Sequence, residues 1–242
     1  AQSEAANDKP FAKYWIHNGF VNVNQEKMSK SLGNFFTIRD ILETYDAEVV
    51  RFFILTSHYR SPIDFSDQNL AESQAGLSRF YEALLTADQM LEGATEDTVD
   101  SSAGAELEAK FREAMDDDFN SALAIAHLFE GVRTMNRLCA TKKFKKKADL
   151  VSQVRDLRAT VLKLGDVLGI YNSDPATWLE RVKLAGLAKL DIKAEEIEAQ
   201  IEARLQARAE KDFAKSDEIR DALADAGIEL LDSREGTSWK LK

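Results

Sequence analysis

The stretch NVNQEKMSKSLGNFFTIRD, Asn22 to Asp40, sets two lysines and two serines into one compact run, Lys27-Met28-Ser29-Lys30-Ser31, and follows it with Gly33-Asn34. A helix interior favours alanine or leucine over serine and glycine, so the run predicts a loop. Upstream, YWIHNGFVNVN (14–24) is rich in aromatic and β-branched residues and predicts strand or strand-loop. Downstream, Thr37 with Asp40 three residues on predicts a capping box that starts a helix. A loop between strand and helix with two lysines three positions apart suits a polyanion. Lysine is a compact charge on a long stem, able to follow a phosphate that moves during reaction. The hydroxyls of Ser29 and Ser31 add directed hydrogen bonds. Met28 would anchor the loop to the body, and Gly33 lets the chain turn.

Working outward, helical spacing dominates. Asp46 is placed to cap a helix carrying Val49, Val50, Phe53 and Ile54. SHYRSPIDFS interrupts, because Pro62 lacks a backbone donor and disfavours helix at Ser61. A long helix is expected from about Gln68, with Leu77, Phe80, Tyr81, Leu84 and Leu91 on one stripe. EGATEDTVDSSAG is small and acidic and predicts a flexible loop. Three further stripes follow: Leu107, Phe111, Ala114 and Met115; Ala122, Ile125, Phe129, Val132 and Cys139; Val154, Leu157, Val161, Leu164 and Leu168, ended by Gly169. Joined by short connections, they predict an antiparallel bundle, with Cys139 as core packing. YNSDPATW marks a break, and a linker is expected over 172–192. Beyond it, Ile197, Ile201 and Leu205 recur every fourth residue, Phe213, Ile219 and Leu223 mark a second helix stopped by Gly227, and IELL, DSREG and TSWKL predict a β-hairpin. Trp239 is either that hairpin's core anchor or a stacking face.

The chain has 242 residues, 44% of them hydrophobic, enough for a sizeable core. One cysteine excludes an internal disulfide and fits a reducing, cytoplasmic setting. No apolar run reaches the ~20 residues of a membrane span. The chain opens on Ala1 rather than methionine, which suggests a fragment. A net charge of −10 argues against a non-specific nucleic-acid binder, though local patches decide. The obvious basic patch is KKFKKK, Lys142 to Lys147: a solvated connection between helices, or a phosphate-contacting edge.

KMSKS resembles the second signature of class I aminoacyl-tRNA synthetases. Its flanks YWIHNGFVNVNQEKMSKSLGNFFTIRDIL, FFILTSHYRSPIDFS and FREAMDDDFNSALAIAHLF, and the tail ARAEKDFAKSDEIRDALADAGIELLDSREGTSW, are similar to the carboxy-terminal half of bacterial cysteinyl-tRNA synthetases. The resemblance implies a mainly α chain. It would comprise the end of a Rossmann catalytic domain with the KMSKS loop (1–35), a helical stem-contact region (36–100), the bundle (101–171), the linker (172–192) and a small α+β anticodon-binding domain (193–242). It implies ATP, with Mg as counter-ion, activating cysteine for transfer to its tRNA by a full-length monomer, with no membrane involved. Lys30 is then the lysine on ATP, with Lys27 and Ser29 in support and Met28 and Ser31 completing the loop. Arg208, Asp217, Asp232 and Phe213 fall where that family contacts the anticodon.

The sequence holds no His-x-Gly-His motif and no Cys/His/Glu cluster for the zinc that family uses, so no metal is assigned here; the ligands are expected upstream of Ala1. His17, His58 and His127 are scattered, and His17 is either strand packing or close to the nucleotide. The chain alone is expected to be inactive. Two alternatives stand beside the ligase: a tRNA-binding fragment without catalysis, and a ligase joining cysteine to an amino sugar. The segment 191–242 carries 9 Lys/Arg against 14 Asp/Glu, so RNA reading there would rest on shape and base edges.

Overall fold

The structure is a computed structural model and describes residues 2–28, 37–190, 192–232 and 236–241. It is mainly helical and divides into two compact units, 1–172 and 173–242. The first holds α1 (Gln2–Asn7), β1 (Val21–Val23), β2 (Glu26–Lys27), α2 (Ile38–Thr44), α3 (Ala47–Leu55), β3 (Ile63–Phe65), α4 (Asp67–Leu91), α5 (Ala103–Asp116), α6 (Ser121–Cys139) and α7 (Ala148–Leu168). The second holds α8 (Pro175–Leu190), α9 (Ala194–Ala209), α10 (Phe213–Asp225), β4 (Ile228–Asp232) and β5 (Thr237–Leu241). Among the described residues, no helix is long and apolar enough to cross a membrane.

β1 is the centre of a three-stranded sheet. It pairs antiparallel with β2 (Asn22↔Lys27, Val23↔Glu26) and parallel with β3 (Val21↔Ile63, Asn22↔Asp64, Val23↔Phe65). The strand expected over 14–24 is therefore short. Its aromatic start, Tyr14, Trp15 and Ile16, stays largely exposed. β3 lies inside the segment expected only as an interruption. Pro62 sits just before the strand, where its missing N–H costs no ladder bond, and Ile63 N–H donates to Phe20 O at 2.9 Å.

The bundle core takes in most of the predicted stripes and adds Leu128 and Met135 of α6, which they did not include, while Ala122 and Phe129 are only half-buried. Leu77, Phe80, Tyr81 and Leu84 of α4, Leu107 and Phe111 of α5, Ile125, Leu128 and Met135 of α6, and Val154, Leu157, Val161 and Leu164 of α7 are all buried. α5, α6 and α7 pack on one another, and α4 packs on α6 and α7. Each such side chain contributes about 1.5–3 kcal/mol by leaving water. Aromatic rings cross-link the helices, with Phe80 4.2 Å from Phe129 and 4.9 Å from Tyr171 between centroids. Gly169 ends α7 in the left-handed region (φ 67°), as expected. Cys139 is buried in this core, and burial pushes its thiol pKa up.

Two expectations change. The acidic segment after α4 has no regular structure, but it is strapped down rather than loose. Thr95 N–H donates to Lys145 O (2.9 Å), Arg155 to Thr95 O (2.9 Å), Val99 N–H to Ser152 Oγ (3.0 Å) and Ser101 Oγ to Asp156 (2.8 Å). Its polar residues find partners on α7, which composition cannot show. The connection expected over 172–192 is itself helical as α8. Asp174 Oδ1 accepts from Thr177 N–H at 2.9 Å, and Pro175 stands at the first helical position, where its missing donor is harmless.

In the second unit, Leu187, Ile197, Ile201, Leu223, Ile228 and Trp239 form one cluster. The predicted hairpin is present, with Leu230 opposite Trp239. Trp239 is the anchor: it is buried, its Nε1–H donates to Glu198 at 2.7 Å, and Lys183 Nζ lies 3.7 Å above its ring.

Candidate functional site

The KMSKS run leaves the body from a β-hairpin. Asn24 and Gln25 both take left-handed conformations (φ 49° and 68°), which a two-residue turn between twisted strands demands. That turn is fixed from β3: Gln25 N–H donates to Asp64 Oδ1 at 2.7 Å, and Asn24 N–H to Phe65 O at 3.2 Å. The backbone of Lys27 closes the β1–β2 pairing, and Met28 follows half-buried. Ser29, Lys30 and Ser31 lie outside the described residues. On the far side of the run, Thr37 N–H donates to Asp40 Oδ2 (2.7 Å) while Asp40 N–H donates to Thr37 Oγ1 (3.3 Å). These bonds hold the Asp40 carboxyl below its usual pKa. The run is thus held at both flanks.

The sheet that carries it is tightly seated. Gly19 N–H donates to Tyr59 O at 2.7 Å, and a Cβ at Gly19 would stand 2.1 Å from Ser61 O, so only glycine allows this approach. The turn facing Gly19, ahead of β3, is clamped by Asp118. Its carboxylate accepts from Arg60 Nε (2.6 Å), Arg60 Nη2 (3.1 Å) and Tyr59 Oη (2.6 Å), with His58 Nε2 at 3.9 Å. Arg60 above all, then Tyr59, lowers the Asp118 carboxyl to about 2. His17 is exposed, and His127 lies beside Glu130 on α6 at 3.4 Å.

In the second unit the structure brings two of the four predicted tail residues together. Arg208 Nη1 approaches Asp232 Oδ2 at 3.4 Å. Asp217 instead faces Arg220 at 3.6 Å, and Phe213 stands 63% exposed at the start of α10. The organising residue is one that sequence reasoning missed. Arg204 is buried, 4% exposed, and grips both oxygens of Asp232 at 2.9 and 2.8 Å, while Thr237 Oγ1 donates to Oδ1 at 2.7 Å. The Arg204 bonds foremost hold the Asp232 carboxyl far below the carboxylate range. A signal existed. At 100° per residue, Arg204, seven positions after Ile197, returns to the apolar face, whereas Leu205, eight after, has turned off it and is 45% exposed.

Among the described residues, no three His, Cys, Asp or Glu side chains gather as a metal site would require.

Residues 1–75 match the family of tRNA synthetases class I (C) catalytic domain, and residues 110–172 match the DALR domain. The catalytic-domain match, which takes in the lysine run, is to the class I tRNA synthetases. A cysteine–tRNA ligase of Syntrophotalea carbinolica is 62% identical over 242 residues, taking in 100% of this chain and 50% of the relative. One from Geobacter metallireducens is 55% identical over 249 residues, 100% of this chain and 51% of the relative. The chain belongs with the cysteine–tRNA ligases and corresponds to their carboxy-terminal half. It spans about half the length of the curated relatives it matches. A crystal structure of the ternary complex of Agrobacterium radiobacter K84 agnB2 LeuRS-tRNA-LeuAMS aligns with 66% of this chain and 22% of its own, at 21% identity and a TM-score of 0.43, too low to speak for the fold.

Proposed function

We propose that this chain serves, within a full-length protein, as the carboxy-terminal part of a cysteine–tRNA ligase that works as a monomer in the cytoplasm. The observation that carries this reading is 62% identity to such a ligase sustained from the lysine loop to the final hairpin. In the reaction, the cysteine carboxylate attacks the α-phosphate of Mg-bound ATP. The α–β bridging bond breaks, pyrophosphate leaves, and a ribose hydroxyl of the terminal adenosine of the tRNA then attacks the cysteinyl carbonyl, breaking the mixed anhydride and releasing AMP. Lys30, seconded by Lys27, neutralises the charge gathering on the leaving pyrophosphate. Ser29 and Ser31 orient its oxygens, and Met28 moors the loop. Positioned cations of this kind are worth about 10³ or more in rate. Zinc, with ligands outside this chain, would select the thiolate because a thiolate is the softer ligand. The tail reads the anticodon through Arg208, Asp217, Asp232 and a stacked Phe213. Asp232 enters that contact already bonded by Arg204 and Thr237, which fixes the carboxylate against which Arg208 is aimed.

Lys30→Ala in the full-length enzyme should lower cysteine-dependent pyrophosphate exchange by about 10³; an unchanged rate sinks the assignment. Removing 191–242 should weaken tRNA charging and spare adenylate formation. The reading without catalysis applies to the chain by itself, since it spans half of its relatives. Pyrophosphate exchange by the isolated chain would contradict that.

A further inference from the structure

The corner between α6 and α7 concentrates positive charge in a chain whose net charge is −10. Arg133 and Arg137 lie one turn apart on α6, and Lys142, Lys143, Lys146 and Lys147 follow in the connection; all six are exposed. None of the six pairs with a carboxylate among the described residues. Glu82 lines a groove with Arg133, and Asp149 stands in the first turn of α7 directly after the lysines. Two other residues of the run are structural. Phe144 is 1% exposed, and Lys145 Nζ donates to Glu92 O (2.7 Å) and Gln89 O (3.3 Å) at the end of α4. Lys146 and Lys147 directly precede the N-terminus of α7, where the helix dipole disfavours cations, so helix stability does not account for that pair; Arg137, in the last turn of α6, and Lys142 and Lys143 just beyond it stand where the dipole favours them.

A groove of ≈ 630 Å³ between α4 and α6 continues the charge. Arg79 and Arg133 line it together with Asn136 and the acidic Glu82, over a largely apolar floor that includes Phe129, and Ala140, two residues before the lysines in sequence, is among its lining residues. Arg79 likewise makes no ion pair among the described residues.

We infer that this corner and the adjoining groove form a backbone-binding surface for RNA phosphates, separate from the loop that handles the nucleotide and from the tail. The inference rests on the proposed ligase function, which supplies tRNA as the polyanion. Charge complementarity selects the partner. Unpaired lysines on a turn suit a sequence-independent phosphate track, while the net acidic tail offers no such attraction. The surface thereby provides affinity and the tail provides discrimination.

The test uses full-length enzyme carrying Lys142→Gln, Lys143→Gln, Lys146→Gln and Lys147→Gln, with Lys145 retained. Binding to the cysteine tRNA transcript, followed across salt, should weaken about tenfold or more. The slope of log affinity against log salt should fall by about 2–3. A non-cognate tRNA should lose the same factor, cysteine-dependent pyrophosphate exchange should stay unchanged, and Lys→Arg at the four sites should restore binding. Wild-type affinity and slope in the Gln variant would overturn the inference. So would a loss confined to the cognate tRNA, or binding that falls only for anionic phosphatidylglycerol vesicles. Failure of the wild-type enzyme to charge tRNA would refute the ligase reading instead, a separate result from the salt slope.

Discussion

The bundle of α4 to α7 and the small unit of residues 173–242 are both largely helical, yet they are secured differently. The bundle buries long apolar stripes from four helices and cross-links them with tilted aromatic ring pairs. The small unit has one compact apolar cluster, and it adds polar bonds that span distant positions: Trp239 to Glu198, and Arg204 to Asp232. A large core tolerates the loss of any single member because many contacts remain. A small one depends on a few side chains, since its surface-to-volume ratio leaves little apolar area to bury.

The largest effect should come from Trp239→Ala, about 3–5 kcal/mol. That is comparable to the whole stability of a unit this size. Hydrogen exchange should then show β4, β5 and α9 unprotected while α4 to α7 stay protected. The matching bundle change, Leu128→Ala, costs about 2–5 kcal/mol but should leave the bundle folded. Equal collapse of both units in either variant would break the comparison. Next, Arg204→Met should lower the urea midpoint of the small unit by the equivalent of about 1–2 kcal/mol. The effect stops there because Asp232, with a 47% exposed side chain, regains water. Arg204→Lys keeps the charge and loses the fork, and should fall between. Lys145→Ala should cost about 0.3–1 kcal/mol, seen as faster amide exchange in the last turn of α4.

The smallest effect is in acid. The folded Asp118 carboxyl lies at about 2 against an ordinary 3.8. Its contribution is therefore present above pH 4 and lost as pH falls toward 2. Carboxyl NMR should place that midpoint near 2, and Asp118→Asn should remove this acid-sensitive portion. Asp232 is held lower still, so the clamp of the small unit should outlast the Asp118 clamp as pH falls.

The features legible in the sequence were those decided within a few residues. Thr37 and Asp40 form the capping box, Asp46 caps α3, Gly169 and Gly227 end helices with positive φ, and most of the buried apolar residues of α5 and α7 were foreseen, whereas Leu70 of α4 and Leu128 and Met135 of α6 were not. The KMSKS segment was visible as a compact motif, but its central residues lie outside the described ones. What was missed depends on partners far along the chain. β3 exists because β1, some forty residues earlier, offers a free edge. Asp118 matters because Arg60 and Tyr59 reach it across 58 and 59 positions. Arg204 can be buried because Asp232 waits 28 residues on.

By itself, then, the sequence determined where most helices start and stop and which faces are apolar. Capping, periodicity and turn geometry are local energies, settled by neighbours within one or two turns. The tertiary structure alone decided which carboxylate fixes which arginine, that the acidic strap lies on α7, and that the turn before the KMSKS run is tied to β3. Those bonds form only after chain closure over tens of residues, and their energies have no trace in local composition.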